Sequence, residues 1–275
     1  MRVFEDVSVA NLFQSAGTGQ TVVNGELDSS GANGVIMTGG AFRFEGPVSV
    51  ANDLSLTSAE VSRFNGTVDT GGEVSLLGGS FRIGNDASDV FDVGGSMLMN
   101  STGNLIVSAP VIVRGSAGAD LNMVDMVLSS EFEVSGGDMA LTNAGDFTLE
   151  ESGSITLNGN NFRQDGTGDS RLANGILGSG SNVSFDGDVI MTDDLTFQGR
   201  SLAFNGRIDS DSSATPRDLV LNSGGPVTLA GDVGSVARVA SLTTNANGQT
   251  RLSADIFTAG AILFGDDVVL QGDTK

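Results

Sequence analysis

One five-residue motif recurs along this chain: an apolar residue, a small residue, glycine, any residue, then an aliphatic one. It reads Val23-Asn-Gly-Glu-Leu27, Phe44-Glu-Gly-Pro-Val48 and Phe64-Asn-Gly-Thr-Val68, then Phe185-Asp-Gly-Asp-Val189, Phe204-Asn-Gly-Arg-Ile208 and Leu229-Ala-Gly-Asp-Val233. Leu252-Ser-Ala-Asp-Ile256 is a copy that has lost its glycine. Successive starts lie 20 residues apart at 44 and 64, 19 at 185 and 204, 25 at 204 and 229, and 23 at 229 and 252. A fixed period of this length is the mark of a repeat architecture. Few folds can use it.

The rest of each repeat keeps register. From Phe64, apolar residues fall at Val68, Val74, Leu76, Phe81 and Ile83. From Phe44 the matching positions are Val48, Leu54, Leu56 and Val61, and from Phe185 they are Val189, Leu195, Phe197, Leu202 and Phe204. The copies from Val23 and Phe204 need insertions of two and five residues, the latter near Asp211 to Pro216, as loops on one face of an array would. Alternating apolar pairs broken by Gly, Asn, Asp and Ser read as short strands, and no helical period is sustained.

The fold expected is all-β: a right-handed parallel β-helix, or β-solenoid, with about 19–25 residues per coil. Coils would stack at about 4.8 Å, and about twelve of them would make a rod on the order of 60 Å long. The corner glycines are Gly25, Gly46, Gly66, Gly187, Gly206 and Gly231, expected there for their tolerance of positive φ. A single solenoid over 1–275 is expected, less regular over 84–182, where pairs such as Leu105/Val107 and Phe147/Leu149 persist. The rival architecture is a β-sandwich or a pair of them, since short strands at regular spacing also suit that fold.

Composition removes many chemistries. The chain has 275 residues, a formal net charge of −21, and no Cys, His, Trp or Tyr. The usual zinc, haem and iron–sulfur sites and the Ser-His-Asp and Cys-His triads need residues it lacks. Its basic residues are arginines apart from Lys275. Its negative charge opposes binding to nucleic acid. No run of about 18 apolar residues could span a membrane. The 40 glycines sit among apolar residues spread along the whole chain, so they mark corners rather than disorder.

The repeats resemble those of filamentous-haemagglutinin-type adhesins and autotransporter passenger domains. The resemblance is carried by Phe64-Asn-Gly-Thr-Val68-Asp-Thr-Gly-Gly-Glu-Val74-Ser-Leu76 and by Ser241 to Gly248 running into Leu252-Ser-Ala-Asp-Ile256. It implies an extracellular or bacterial cell-surface location and a non-enzymatic structural or adhesive role. Partners would be a protein or glycan surface ligand, or copies of the chain itself. The chain starts and stops within repeats, with Leu270-Gln-Gly272-Asp following a coil. It is therefore expected to be a fragment of a longer protein, or a filament subunit that stacks end to end.

Candidate sites are few. Arg43, Arg63 and Arg82 each precede the apolar residue that opens a repeat, and would stack as an outward ladder. Such a ladder can dock an acidic ligand, or simply neutralise nearby acids such as Glu45. The acidic pairs Glu150-Glu151, Asp193-Asp194 and Asp266-Asp267 raise the thought of a polysaccharide-cleaving β-helix. Adjacent strand residues face opposite ways, however, so solvated loop acids are the reading preferred. No cofactor is expected. The loop Gly84-Asn-Asp86-Ala-Ser-Asp89 offers oxygen ligands to calcium but lacks the known calcium-loop motifs. The fifteen Phe residues are expected in the core.

Overall fold

The computed structural model describes residues 2–86 and 88–271, so Gly272 and Lys275 lie outside the described residues. The chain is a parallel β-solenoid of about 12 turns over its length, with no helix among the described residues. It falls into two compact units, 1–139 and 140–275.

In the first unit every coil has three short strands. One face carries Ala41–Phe44, Ser62–Phe64, Phe81–Ile83 and Leu105–Val107. The next carries Val48–Val50, Val68–Thr70, Phe91–Val93 and Val111–Val113. The third carries the longer strands Leu54–Ser58, Val74–Gly78, Met97–Ser101 and Ala119–Met123. Each strand pairs in parallel with its equivalent one coil away; Phe64, for example, lies beside Phe44 on one side and Ile83 on the other. Such crossings match the 20- and 19-residue spacing of the motif. The core is the space enclosed by the three faces. Alternate residues point into it, so Val74 and Leu76 are buried beside Leu54 and Leu56.

The second unit repeats the scheme. Phe185, Phe204, Leu229, Leu252 and Leu270 occupy equivalent positions in successive strands. On another face the strands Leu195–Gly199, Asp218–Ser223, Ser241–Ala246 and Ile262–Phe264 form a four-stranded parallel sheet. Where a coil lacks a full strand, single bridges keep the stack, as at Ile208, Val233 and Ile256. Residues Asp211 to Pro216 form a loop between strands Ile208–Ser210 and Asp218–Ser223.

The aromatic rings stack with the coils. Phe44 and Phe64 lie 5.1 Å apart at 10°, and Phe185 and Phe204 lie 5.6 Å apart at 5°. Phe91 meets Phe64 edge-on at 5.2 Å, and Phe197 meets Phe204 edge-on at 5.1 Å. Each such contact is worth about 0.5–1.5 kcal/mol beyond the area buried. Not every Phe is internal: Phe13 points outward and is 60% exposed. Val61 also departs from its expected place. Ser62, not Val61, is the partner of Phe81, because the coil from Phe44 to Phe64 is one residue longer than the next. Ser62 is therefore fully buried, and its hydroxyl accepts the Phe42 N–H at 3.0 Å.

The six motif glycines all sit at bends between strands, but not for the expected reason. None of them has a positive φ. What requires glycine is close approach: a Cβ on Gly46 would lie 2.5 Å from the carbonyl oxygen of Gly25, and one on Gly66 would lie 2.8 Å from that of Gly46. In the second unit Gly187, Gly206 and Gly231 stack in the same way: a Cβ added to each would lie 2.2–2.4 Å from the carbonyl oxygen of the glycine one coil earlier. Left-handed backbone is used elsewhere, as at Gly34 (φ 58°) and Gly118 (φ 73°), just ahead of the long third-face strands.

Gly206→Ala should therefore overpack the corner and lower stability by about 1–3 kcal/mol, read from urea unfolding. Gly224→Ala, whose added Cβ would meet its nearest atom at 3.8 Å, should change it by less than about 0.5 kcal/mol. Equal effects at the two positions would remove crowding as the reason for the column.

Candidate functional site

Strand alternation decides which side chains a ligand can meet. In Ala41–Phe44, Ser62–Phe64 and Phe81–Ile83 the residues flanking each arginine point inward, so each arginine points outward. Register then brings the three together: Arg63 is the paired neighbour of both Arg43 and Arg82. Guanidinium groups on adjacent parallel strands are about 4.8 Å apart at their backbones. Arg43 is ion-paired with Glu45 of its own coil. Arg63 and Arg82 have no ion pair among the described residues. Beside Arg43 and Arg63 lies a recess of about 640 Å³ that also touches Gln20, Glu60 and Val61. The row thus holds two unneutralised cations in an acidic chain, an arrangement that suits an extended anionic ligand.

The acidic pairs have structural partners. The Asp194 carboxylate accepts the Asp218 N–H from the next coil at 2.8 Å, and Asp193 lies 3.7 Å from Arg217. The Asp266 carboxylate accepts hydroxyls from buried Thr244 and Thr250 at 2.9–3.0 Å. The Glu150-Glu151 turn is pinned through its backbone, whose carbonyls accept from the Asn174 side chain. In the loop from Gly84, Asp86 accepts the Ser88 N–H at 2.9 Å, which holds its pKa below the ordinary value. Among the described residues no three acidic side chains are grouped so as to hold a metal ion.

Other arginines bridge coils. Arg114 grips both oxygens of Asp92 at 2.8–2.9 Å, and Arg207 bonds Asp188 through Nε and Nη2 at 3.0 and 2.6 Å. Arg163 reaches Asp186 at 3.0 Å. All are exposed pairs of modest worth. Asp146, Asp169 and Asp188 precede the paired residues Phe147, Ser170 and Val189, so they form an acidic row ahead of Arg207. Desolvation pushes the Asp169 pKa above its ordinary value, and the carboxylates of Asp188 and Asp146 push it the same way.

Sequence reading missed a second feature, in the unit 140–275. The position just after the inward pair in three of the four strands of that sheet is Gln198, Asn222 or Asn245, and these are paired neighbours. Their amides line a polar groove of about 380 Å³ together with Arg200 and Asn247. The signal was present as a polar amide one residue beyond Phe197, Leu221 and Thr244. It carries meaning only once the strands are in register.

No family model matches this chain, and neither a curated protein nor a solved structure matches it significantly.

A raised carboxyl pKa means the folded chain holds that proton more tightly than the unfolded one. Asp169 therefore contributes stability at low pH that is lost as pH rises from its ordinary value of 3.8 through its folded value. Asp169→Asn should raise the urea midpoint at pH 7, with the gain vanishing near pH ~3, where the native carboxyl is protonated as well. A gain that persists at low pH would show a cause other than ionisation.

Proposed function

We propose that this chain is a non-enzymatic structural and adhesive β-solenoid module of a bacterial cell-surface or extracellular protein, of the filamentous-haemagglutinin and autotransporter-passenger type. The observation that supports the reading is the in-register coil ladder. Within each unit it sets outward side chains in rows at a fixed spacing of about 4.8 Å, over a buried core. A row such as Arg43, Arg63 and Arg82 offers the same contact several times, and repeated weak contacts add through effective concentration. The ladder also keeps the rows rigid, so little side-chain and loop order has to be gained on binding. The protein or glycan that it grips would thus be held by an extended face rather than a deep pocket.

Beads coated with the full chain should be retained under flow on surfaces bearing extracellular glycans or matrix proteins. Retention should fall with added salt, since an arginine row is screened by ions. Beads that slide off every such surface as readily as albumin-coated ones would overturn the adhesive reading.

A second reading is end-to-end stacking of copies. Leu263 and Leu270, in the last described strands, are 59% and 60% exposed, and strand Asp267–Leu270 pairs with Gln249–Leu252. Among the described residues that strand is paired on one side only, and an unpaired edge is a template for a further strand. Sedimentation velocity should then show mass growing with concentration, with a response to Leu270→Lys; a single species at all concentrations would exclude it.

A further inference from the structure

We infer that the polar groove of the unit 140–275 binds a short oligosaccharide carrying one anionic group. This rests on the adhesive reading and names a site and ligand chemistry for it.

Gln198, Asn222 and Asn245 stand side by side on three adjacent strands, all facing outward. Stacked amides of this kind can saturate one another. Here they do not: among the described residues the side chains of Gln198, Asn222, Asn245 and Asn247 make no hydrogen bond. Each keeps two N–H donors and a carbonyl acceptor. Saccharide hydroxyls both donate and accept, so a row of free amides matches them. A purely cationic row would match only phosphate, sulfate or carboxylate.

Arg200 supplies the one charge. Its Nε donates to Asn182 Oδ1 at 3.1 Å, which fixes the guanidinium and leaves its two terminal nitrogens for a carboxylate or sulfate. No Asp or Glu lines the groove, although the chain has 34 of them. The floor is made of small residues. A Cβ on Gly224 would meet nothing closer than 3.8 Å, and Gly224 has no positive φ. Neither conformation nor crowding demands glycine there, in contrast to Gly206. Its effect is to leave the groove open.

The location argues against a peptide. The groove lies on a sheet face whose central strand, Asp218–Ser223, is paired on both sides, so no free edge can accept an added strand. Its lining offers no large apolar side chain for a peptide anchor or a lipid chain.

The test is direct binding of the full chain to a panel of oligosaccharides: neutral, the same backbones bearing a uronic or sialic acid, and sulfated ones. Acidic members should bind, with their neutral counterparts about tenfold weaker, as loss of one charge-assisted hydrogen bond implies. The carboxylated and sulfated arms decide which anion Arg200 takes. Arg200→Gln should erase the acidic preference. Gly224→Leu should fill the groove and abolish binding, and Asn245→Asp should repel acidic ligands by about tenfold or more while keeping the side-chain shape. Circular dichroism and the urea midpoint confirm that each variant is folded.

Failure of every saccharide to bind, or binding unaffected by Gly224→Leu and Asn245→Asp, would overturn the groove. If no saccharide binds the chain in solution while its beads are still retained under flow, the groove falls and the adhesive reading stands. If the chain binds acidic saccharides in solution but its beads are never retained, the reverse holds.

Discussion

Coil-on-coil hydrogen bonding at about 4.8 Å is the constraint on which everything else in this chain depends. A single coil of three short strands cannot enclose a core or satisfy its own backbone. Each needs the next at that distance over its whole circuit, corners included. The glycine columns are the consequence: Gly46 above Gly25, and Gly231 above Gly206, where any Cβ would strike the carbonyl of the coil before. Phe44 over Phe64 and Phe185 over Phe204 answer the same spacing inside. Rings stacked near the strand repeat pack against one another from coil to coil.

Alternation then divides each strand into a buried set and a displayed set, and register turns the displayed set into rows. In a chain with a net charge of −21 some of these rows are acidic, as at Asp146, Asp169 and Asp188, and arginines from neighbouring coils offset part of that charge. Arg114 with Asp92, Arg163 with Asp186 and Arg207 with Asp188 each join neighbouring coils. Pairs so exposed contribute little stability. Their value is placement, since a carboxylate row without them would repel itself at every step. Among the described residues Arg63 and Arg82 are left without an ion pair, and the side chains of Gln198, Asn222 and Asn245 without a hydrogen bond.

Much of this was legible because repetition writes the fold into the spacing. Phe44, Phe64 and Ile83 pair in the structure at the intervals seen in the chain. The arginine row follows from the same count. Three things were not legible. A coil lengthened by one residue exchanges Val61 for Ser62, and hydrophobicity alone prefers Val61. The motif glycines suggested positive φ, whereas contact with another coil is what selects them. The amide row is invisible in a linear reading, because Gln198, Asn222 and Asn245 are ordinary surface residues until register makes them neighbours.

The sequence by itself determined that this chain folds as stacked parallel coils, most of the residues that face inward, and which chemistries it lacks, because period and alternation are local properties of a chain. Tertiary structure alone decided why each corner glycine is needed, which arginines stay unpaired, and where free amides meet around an open floor. Those depend on distances between atoms some 20 residues apart, and an error of one residue in coil length reverses the face a side chain shows.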